Sequence, residues 1–143
     1  MINIYKLHAN PEQLNGYKNA KTLIPQVAYS YAKSIGKRFP AGEATILKNP
    51  GVAFKYAENV IRGRWPEAEP IIIENAHLAY LYAVRIIEGR WPEAEPVIMK
   101  DPWSAYMYAR FVIEGRWPEA EPIIRQEPDL LLTYQSFLLN LKK

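Results

Sequence analysis

The octapeptide Gly-Arg-Trp-Pro-Glu-Ala-Glu-Pro occurs three times, at 63–70, 89–96 and 115–122, with a period of 26 residues. A period of this size is the signature of a repeat protein, in which one small unit recurs and neighbouring units bury each other's apolar faces. A weaker copy, Lys37-Arg38-Phe39-Pro40, lies 26 residues earlier, with Phe in place of Trp. The remainder of the unit recurs too. Ala53-Phe54-Lys55-Tyr56-Ala57 matches Ala79-Tyr80-Leu81-Tyr82-Ala83 and Ala105-Tyr106-Met107-Tyr108-Ala109, and Ala28-Tyr29-Ser30-Tyr31-Ala32 is an earlier copy one residue out of phase. The stretches starting at Arg64 and Arg90 agree at 15 of 26 positions.

Each unit reads as two helices. Asn49-Pro50, Asp101-Pro102 and Glu127-Pro128 set a polar residue before a proline at the first helical position. Asn and Asp cap well there, and Glu caps less well. Asn75-Ala76 keeps the cap without the proline, and Ile24-Pro25 the proline without the cap. The glycines at 36, 63, 89 and 115 end these segments, where the left-handed conformation of a helix stop is expected of them. The longer helices are therefore predicted at 25–35, 50–62, 76–88, 102–114 and 128–141. Shorter helices of about eight residues are predicted from Pro40, Pro66, Pro92 and Pro118, with Glu67, Glu69 and their copies at the positive end of the helix dipole. Pro70, Pro96 and Pro122 follow four residues later, so a tight or kinked first turn is expected. The stretch 11–22 reads as one more short helix. The fold class expected is all-α, a short right-handed α-solenoid of about five helix-turn-helix repeats. It forms one domain over 1–143: a divergent first pair at 1–37, repeats at 38–63, 64–89 and 90–115, and a last repeat with a cap at 116–143.

On a helical wheel Ala79, Ala83, Ile86 and Ile87 share one face, with Tyr80 and Tyr82 at its shoulders, and the other units repeat this. Ile71-Ile72, Val97-Ile98 and Ile123-Ile124 are the opposing wall. Trp65, Trp91 and Trp117 have two readings, a ladder on which a ligand stacks or a wedge in the joint between units. Their place in an unchanging motif favours the wedge. Arg64, Arg90 and Arg116 read likewise as a charged row or, preferably, as partners of nearby carboxylates. In the last unit Leu131 and Gln135 replace two alanines, which suggests a C-terminal cap whose leucines leave room for self-association.

Positions fixed between units build the scaffold, and positions that change are free to carry the specific task. The changing positions of the longer helices fall at i, i+4, i+7 and i+8, one face opposite the alanines. They read Gly51, Lys55, Glu58, Asn59; then His77, Leu81, Val84, Arg85; then Trp103, Met107, Arg110, Phe111; then Asp129, Thr133, Ser136, Phe137. Large apolar residues on a face otherwise turned to water mark an interaction site. A protein-binding surface is expected around Trp103, Met107, Phe111 and Leu81, with Arg85, Arg110 and His77 supplying polar contacts. The competing reading is that this face is covered within the chain or is ordinary solvated surface.

Charge gives an alternative. Residues 1–63 hold nine basic and three acidic residues, and residues 64–143 nine basic and twelve acidic. Lys18, Lys21, Lys33, Lys37 and Arg38 could follow a phosphate backbone, with Tyr29 or Tyr31 for base stacking, although no nucleic-acid motif accompanies them. Enzymatic chemistry is not expected. The chain has no cysteine, and its two histidines, His8 and His77, lack metal-ligand spacing. There is no phosphate loop or nucleophile elbow, and no cofactor or metal is expected. The absence of cysteine suits a reducing cytoplasm, and neither a signal peptide nor a membrane span is seen.

The motif at 89–96, followed by Met99-Lys100-Asp101-Pro102 and Ala105-Tyr106-Met107-Tyr108-Ala109, resembles a group of helical-repeat proteins of bacteriophage genomes. The likeness covers about 37–125 and departs at Phe39, at Gly42 and after Leu130. It carries over no functional residues. It implies a phage protein in the host cytoplasm, with a host protein as partner, as an inhibitor or decoy of a host defence protein would have. A structural or self-assembling role is the other reading.

Overall fold

The long helices start where their caps say they should. Asn49, Asn75 and Asp101 each accept, through the side chain, the amide of the residue three further on, at 3.1, 2.9 and 2.8 Å. Glu127 and Ile24 make no such bond. A computed structural model describes residues 24–143. The short helix expected at 11–22 lies outside the described residues, as do His8, Lys18 and Lys21. The described chain is all-helical: α1 Pro25–Ile35, α2 Pro40–Ile46, α3 Pro50–Tyr56, α4 Glu69–Ile72, α5 Ala76–Tyr82, α6 Glu95–Ile98, α7 Pro102–Tyr108, α8 Glu121–Ile124 and α9 Pro128–Leu141. It divides into two compact halves, the first ending at Ile72 and the second spanning Ile73–Lys143.

Three long helices do not finish as α-helix. α3, α5 and α7 each widen into a π turn, at Ala57–Ile61, Ala83–Ile87 and Ala109–Ile113. α1 has none and stops at Gly36, which is left-handed at φ 69°. A π turn holds one extra residue. That residue is the phase difference seen in the sequence: Tyr31 is five residues before the left-handed position, while Tyr56, Tyr82 and Tyr108 are six before it. The same insertion corrects the expected helix stops. The left-handed residues are Arg62, Glu88 and Glu114, at φ 58°, 56° and 56°, and not the glycines that follow them. Arg62 N–H and Gly63 N–H both donate to the Ala57 carbonyl, closing the widened turn.

The short helices are also shorter than expected. α2 runs unbroken from Pro40, whereas α4, α6 and α8 begin only at Glu69, Glu95 and Glu121, after a turn or a 3₁₀ segment. Ala44 of α2 stands where Pro70, Pro96 and Pro122 stand in the later copies. Without an N–H, those prolines cannot bond back into a turn begun at the first proline, so the regular helix starts late.

Packing follows the fixed residues. Ala53, Ala57, Ala79, Ala83, Ala105 and Ala109 are fully buried, as are Ile46, Ile72, Ile98 and Ile124 of the short helices. Ile86 and Ile87 are only half-buried. The tryptophans are wedges. Trp65, Trp91 and Trp117 are buried and lie tilted on Tyr56, Tyr82 and Tyr108, with ring centroids 4.9, 5.1 and 4.9 Å apart. In the first copy Phe39 meets Tyr31 edge-on at 4.7 Å. A Cβ on Gly42 would lie 2.4 Å from the Phe39 ring, so this smaller ring takes the room used by Ala68, Ala94 and Ala120 in the other copies.

Candidate interaction surface

A clasp beneath the surface fixes each joint. Arg38, Arg64, Arg90 and Arg116 each donate two hydrogen bonds, at 2.6–3.0 Å, to Glu43, Glu69, Glu95 and Glu121. The carboxylates are largely covered while the arginines stay about half exposed. At Glu43, Glu95 and Glu121 a tyrosine hydroxyl completes the clasp. Tyr56 donates to Glu43 and accepts the Phe39 amide, at 2.7 and 2.8 Å. Tyr108 does the same with Glu95 and the Trp91 amide, at 2.8 and 2.7 Å. Tyr134 donates to Glu121 at 3.3 Å and accepts the Trp117 amide at 2.9 Å. Burial pushes the Tyr56 and Tyr108 hydroxyls up to about 12, and the carboxylate beside each adds to this. The Arg38 hydrogen bond holds Glu43 below its ordinary range, and that of Arg116 does so for Glu121. At Glu95 burial acts the other way, but the bonds from Arg90 and Tyr108 outweigh it. The arginine row is therefore scaffold. Of each Glu pair, the second member is a clasp residue as well as a helix-start charge.

The changing residues of the second half lie on neighbouring helices, because α5 packs on α7 and α7 on α9. Trp103 is 51% exposed and Phe111 48%, large values for such rings. Met107, Leu81 and Val84 are half-buried beside them, and His77, Arg85 and Arg110 are exposed. The two rings are held from below. Trp103 leans on Tyr106 at 5.7 Å, and Arg110 donates to the Tyr106 hydroxyl at 2.8 Å while its guanidinium lies 5.2 Å over the Phe111 ring. His77 meets Tyr80 edge-on at 5.4 Å. Phe137 turns inward, edge-on to Tyr106 at 6.4 Å. Lys55 and Asn59 are exposed in the first half, where Asn59 donates to the Tyr29 hydroxyl.

Trp103 also walls an open groove of about 400 Å³ lined by Asp101, Pro102, Glu127, Asp129, Leu130 and Thr133. The sequence reading missed its acidic rim. The signal was there in the cap position, which changes from Asn75 to Asp101 to Glu127.

Three residues of the phosphate-binding alternative are engaged within the fold. Tyr29 and Tyr31 are buried, so neither offers a face to a base. Arg38 is committed to Glu43. Lys33 and Lys37 remain exposed, with the Lys33 ammonium 6.0 Å over the Tyr29 ring. Among the described residues no group of three or more His, Asp or Glu is placed to hold a metal ion, and no helix is long and apolar enough to cross a membrane.

The described chain is thus all-helical, built on a repeated sequence, with an apolar, unevenly charged surface around Trp103 and Phe111. Comparison with protein-family models, with curated proteins and with solved structures gives no match for it.

Proposed function

We propose that this chain is a protein-binding module, not an enzyme, and that it grips its partner through Trp103, Met107, Phe111 and Leu81. The observation that carries this is the half-exposure of Trp103 and Phe111 on the face that varies between otherwise conserved repeats. Exposed aromatic rings backed by packed neighbours are what an interface centre needs, since they supply large apolar area with little side-chain entropy to lose. Charge orients the partner. Asp101, Glu127 and Asp129 edge the patch beside Trp103, Arg110 edges it beside Phe111, and Arg85 is exposed at the equivalent place of the preceding repeat. The partner surface that fits has an apolar centre, basic side chains towards Trp103 and acidic ones towards Phe111.

The resemblance of the Gly-Arg-Trp-Pro-Glu-Ala-Glu-Pro units to phage-encoded helical repeats makes a host protein the proposed partner, and inhibition of a host defence protein the proposed outcome. The alternative, binding of nucleic acid through Lys33 and Lys37, has less to support it.

The test is a Met107→Glu, Phe111→Glu double variant alongside Lys55→Glu as a surface control. Tagged wild type and control should retain the same host polypeptide, and the double variant, with an unchanged thermal melt, should lose it. A folded double variant that retains the polypeptide in full sinks the reading. Retention of duplex DNA by all three proteins, weakening with salt, would support the alternative.

A further inference from the structure

The helices of the second half share one pattern of cover. α6 and α7 lie on α5, and α8 and α9 lie on α7. Under this cover Ala79, Ala83, Ala105 and Ala109 are fully buried, and Tyr80 and Tyr106 nearly so. The corresponding positions of α9 are left open. Leu132 stands one period after Tyr106 and is 63% exposed, Leu139 is 64% exposed, Gln135 is exposed, and Leu131 and Leu138 are half-buried. The opposite side of α9 carries Tyr134 and Phe137, whose rings meet Tyr106 of α7 at 6.5 and 6.4 Å.

The open face reads the same in both directions. Leu131-Leu132 and Leu138-Leu139 are placed symmetrically about Gln135. At about 100° per residue these five side chains share an arc of about 120°. A two-fold interface needs a patch that is complementary to itself on reversal. When two such faces meet antiparallel, Leu131 lies beside the second copy's Leu138 along one edge and Leu132 beside its Leu139 along the other. Gln135 then meets its own copy, and an amide both donates and accepts, so the pair satisfies itself. The charges agree with this direction. Glu127 and Asp129 open the helix and Lys142 and Lys143 close it, so reversal sets each basic end beside an acidic start, whereas a parallel pair would set like beside like. A head-to-tail continuation of the repeat is hindered, because Leu131 and Gln135 fill places where alanine lets the next helix approach.

We propose that the open face of α9 is the interface of an antiparallel homodimer with its two-fold axis at Gln135. The face of one 14-residue helix is small beside the roughly 800 Å² per partner of a standard interface, so the dimer forms reversibly with concentration. Sedimentation equilibrium should show the 16.5 kDa chain passing to twice that mass as concentration rises. Leu132→Glu with Leu139→Glu should hold it monomeric, with an unchanged melt at concentrations where the wild type is itself monomeric, since both positions are exposed. The chain has no cysteine, so a single introduced thiol reports the axis. The Gln135→Cys variant should oxidise to a covalent dimer, and Leu132→Cys, whose neighbour across the axis is Leu139, much more slowly. The Met107→Glu, Phe111→Glu variant should still dimerise. The proposal is overturned by a monomeric wild type at every concentration, by a dimer that survives the two glutamates, by equal cross-linking at both thiols, or by loss of the dimer in the Met107/Phe111 variant.

Discussion

A left-handed residue that is not glycine carries a backbone strain of about 1–2 kcal/mol, from the Cβ against its own carbonyl. Arg62, Glu88 and Glu114 all sit there, each directly before a glycine that does not. A Cβ built on Gly63 or Gly89 meets nothing within 4 Å, and no packing constraint explains glycine at those positions. The two placements of the helix stop predict opposite mutants. Glu88→Gly should raise stability by about 0.5–1 kcal/mol, because strain is relieved by more than the added freedom of the unfolded chain costs. Gly89→Ala should change it by less than about 0.5 kcal/mol. Urea midpoints of the two variants check this, and a Gly89→Ala loss above 1 kcal/mol would return the left-handed role to the glycine. Sequence reasoning went astray here because glycine near a helix end is a strong stop signal, while a π turn leaves only a one-residue phase shift.

At the scale of elements, much was legible. Caps at Asn49, Asn75 and Asp101, the long helices and the tryptophan wedges all follow from local rules read in register. What was not legible depends on atoms brought together across 17 residues. The Tyr108 hydroxyl that takes the Trp91 amide and gives to Glu95 is one such case, and its only trace in the sequence is that Tyr recurs at 56, 82 and 134 while the place of Tyr106 is Phe54 and Leu132 in other copies. The clasp makes the two tyrosines unequal in energy. Removing the Tyr108 hydroxyl leaves a buried N–H without an acceptor, a loss of about 1–3 kcal/mol. The Tyr106 hydroxyl serves only Arg110, which is exposed and can turn to water. Tyr108→Phe should therefore lower the urea midpoint clearly and Tyr106→Phe little. Equal effects would mean that the clasp contributes nothing beyond ring packing. The candidate surface divides in the same way. Trp103 and Phe111 were found by comparing one repeat with the next, whereas the acidic groove beside Trp103 needed the start of α9 to be set against the start of α7.

For the whole molecule, repetition turns one local device into a global property. The clasp occurs in both halves, at Glu43 in the first and at Glu95 and Glu121 in the second, and each of these carboxylates is held below its ordinary value of 4.5. A group whose pKa is depressed on folding contributes stability that is fully present above its unfolded value and is lost as pH falls through the folded one. The unfolded chain then binds more protons than the native one, so acid drives unfolding, and each clasp loosens in the same window below about pH 4.5. The ion pairs alone would give a shallow response, because their arginines are about half exposed and screened. The carboxylates, however, are mostly covered and also hold the tyrosines that close the joints, so protonation acts on packing as well as on charge. Melting temperature should be level from neutral pH to about pH 5 and then fall steeply. Glu95→Gln keeps an acceptor for Tyr108 but removes the charge, so it should start lower at pH 7 and lose less between pH 5 and pH 3. Parallel acid limbs for wild type and variant would place the acid sensitivity outside the clasps, and the tyrosines would then be joined to carboxylates whose charge does not matter to the fold.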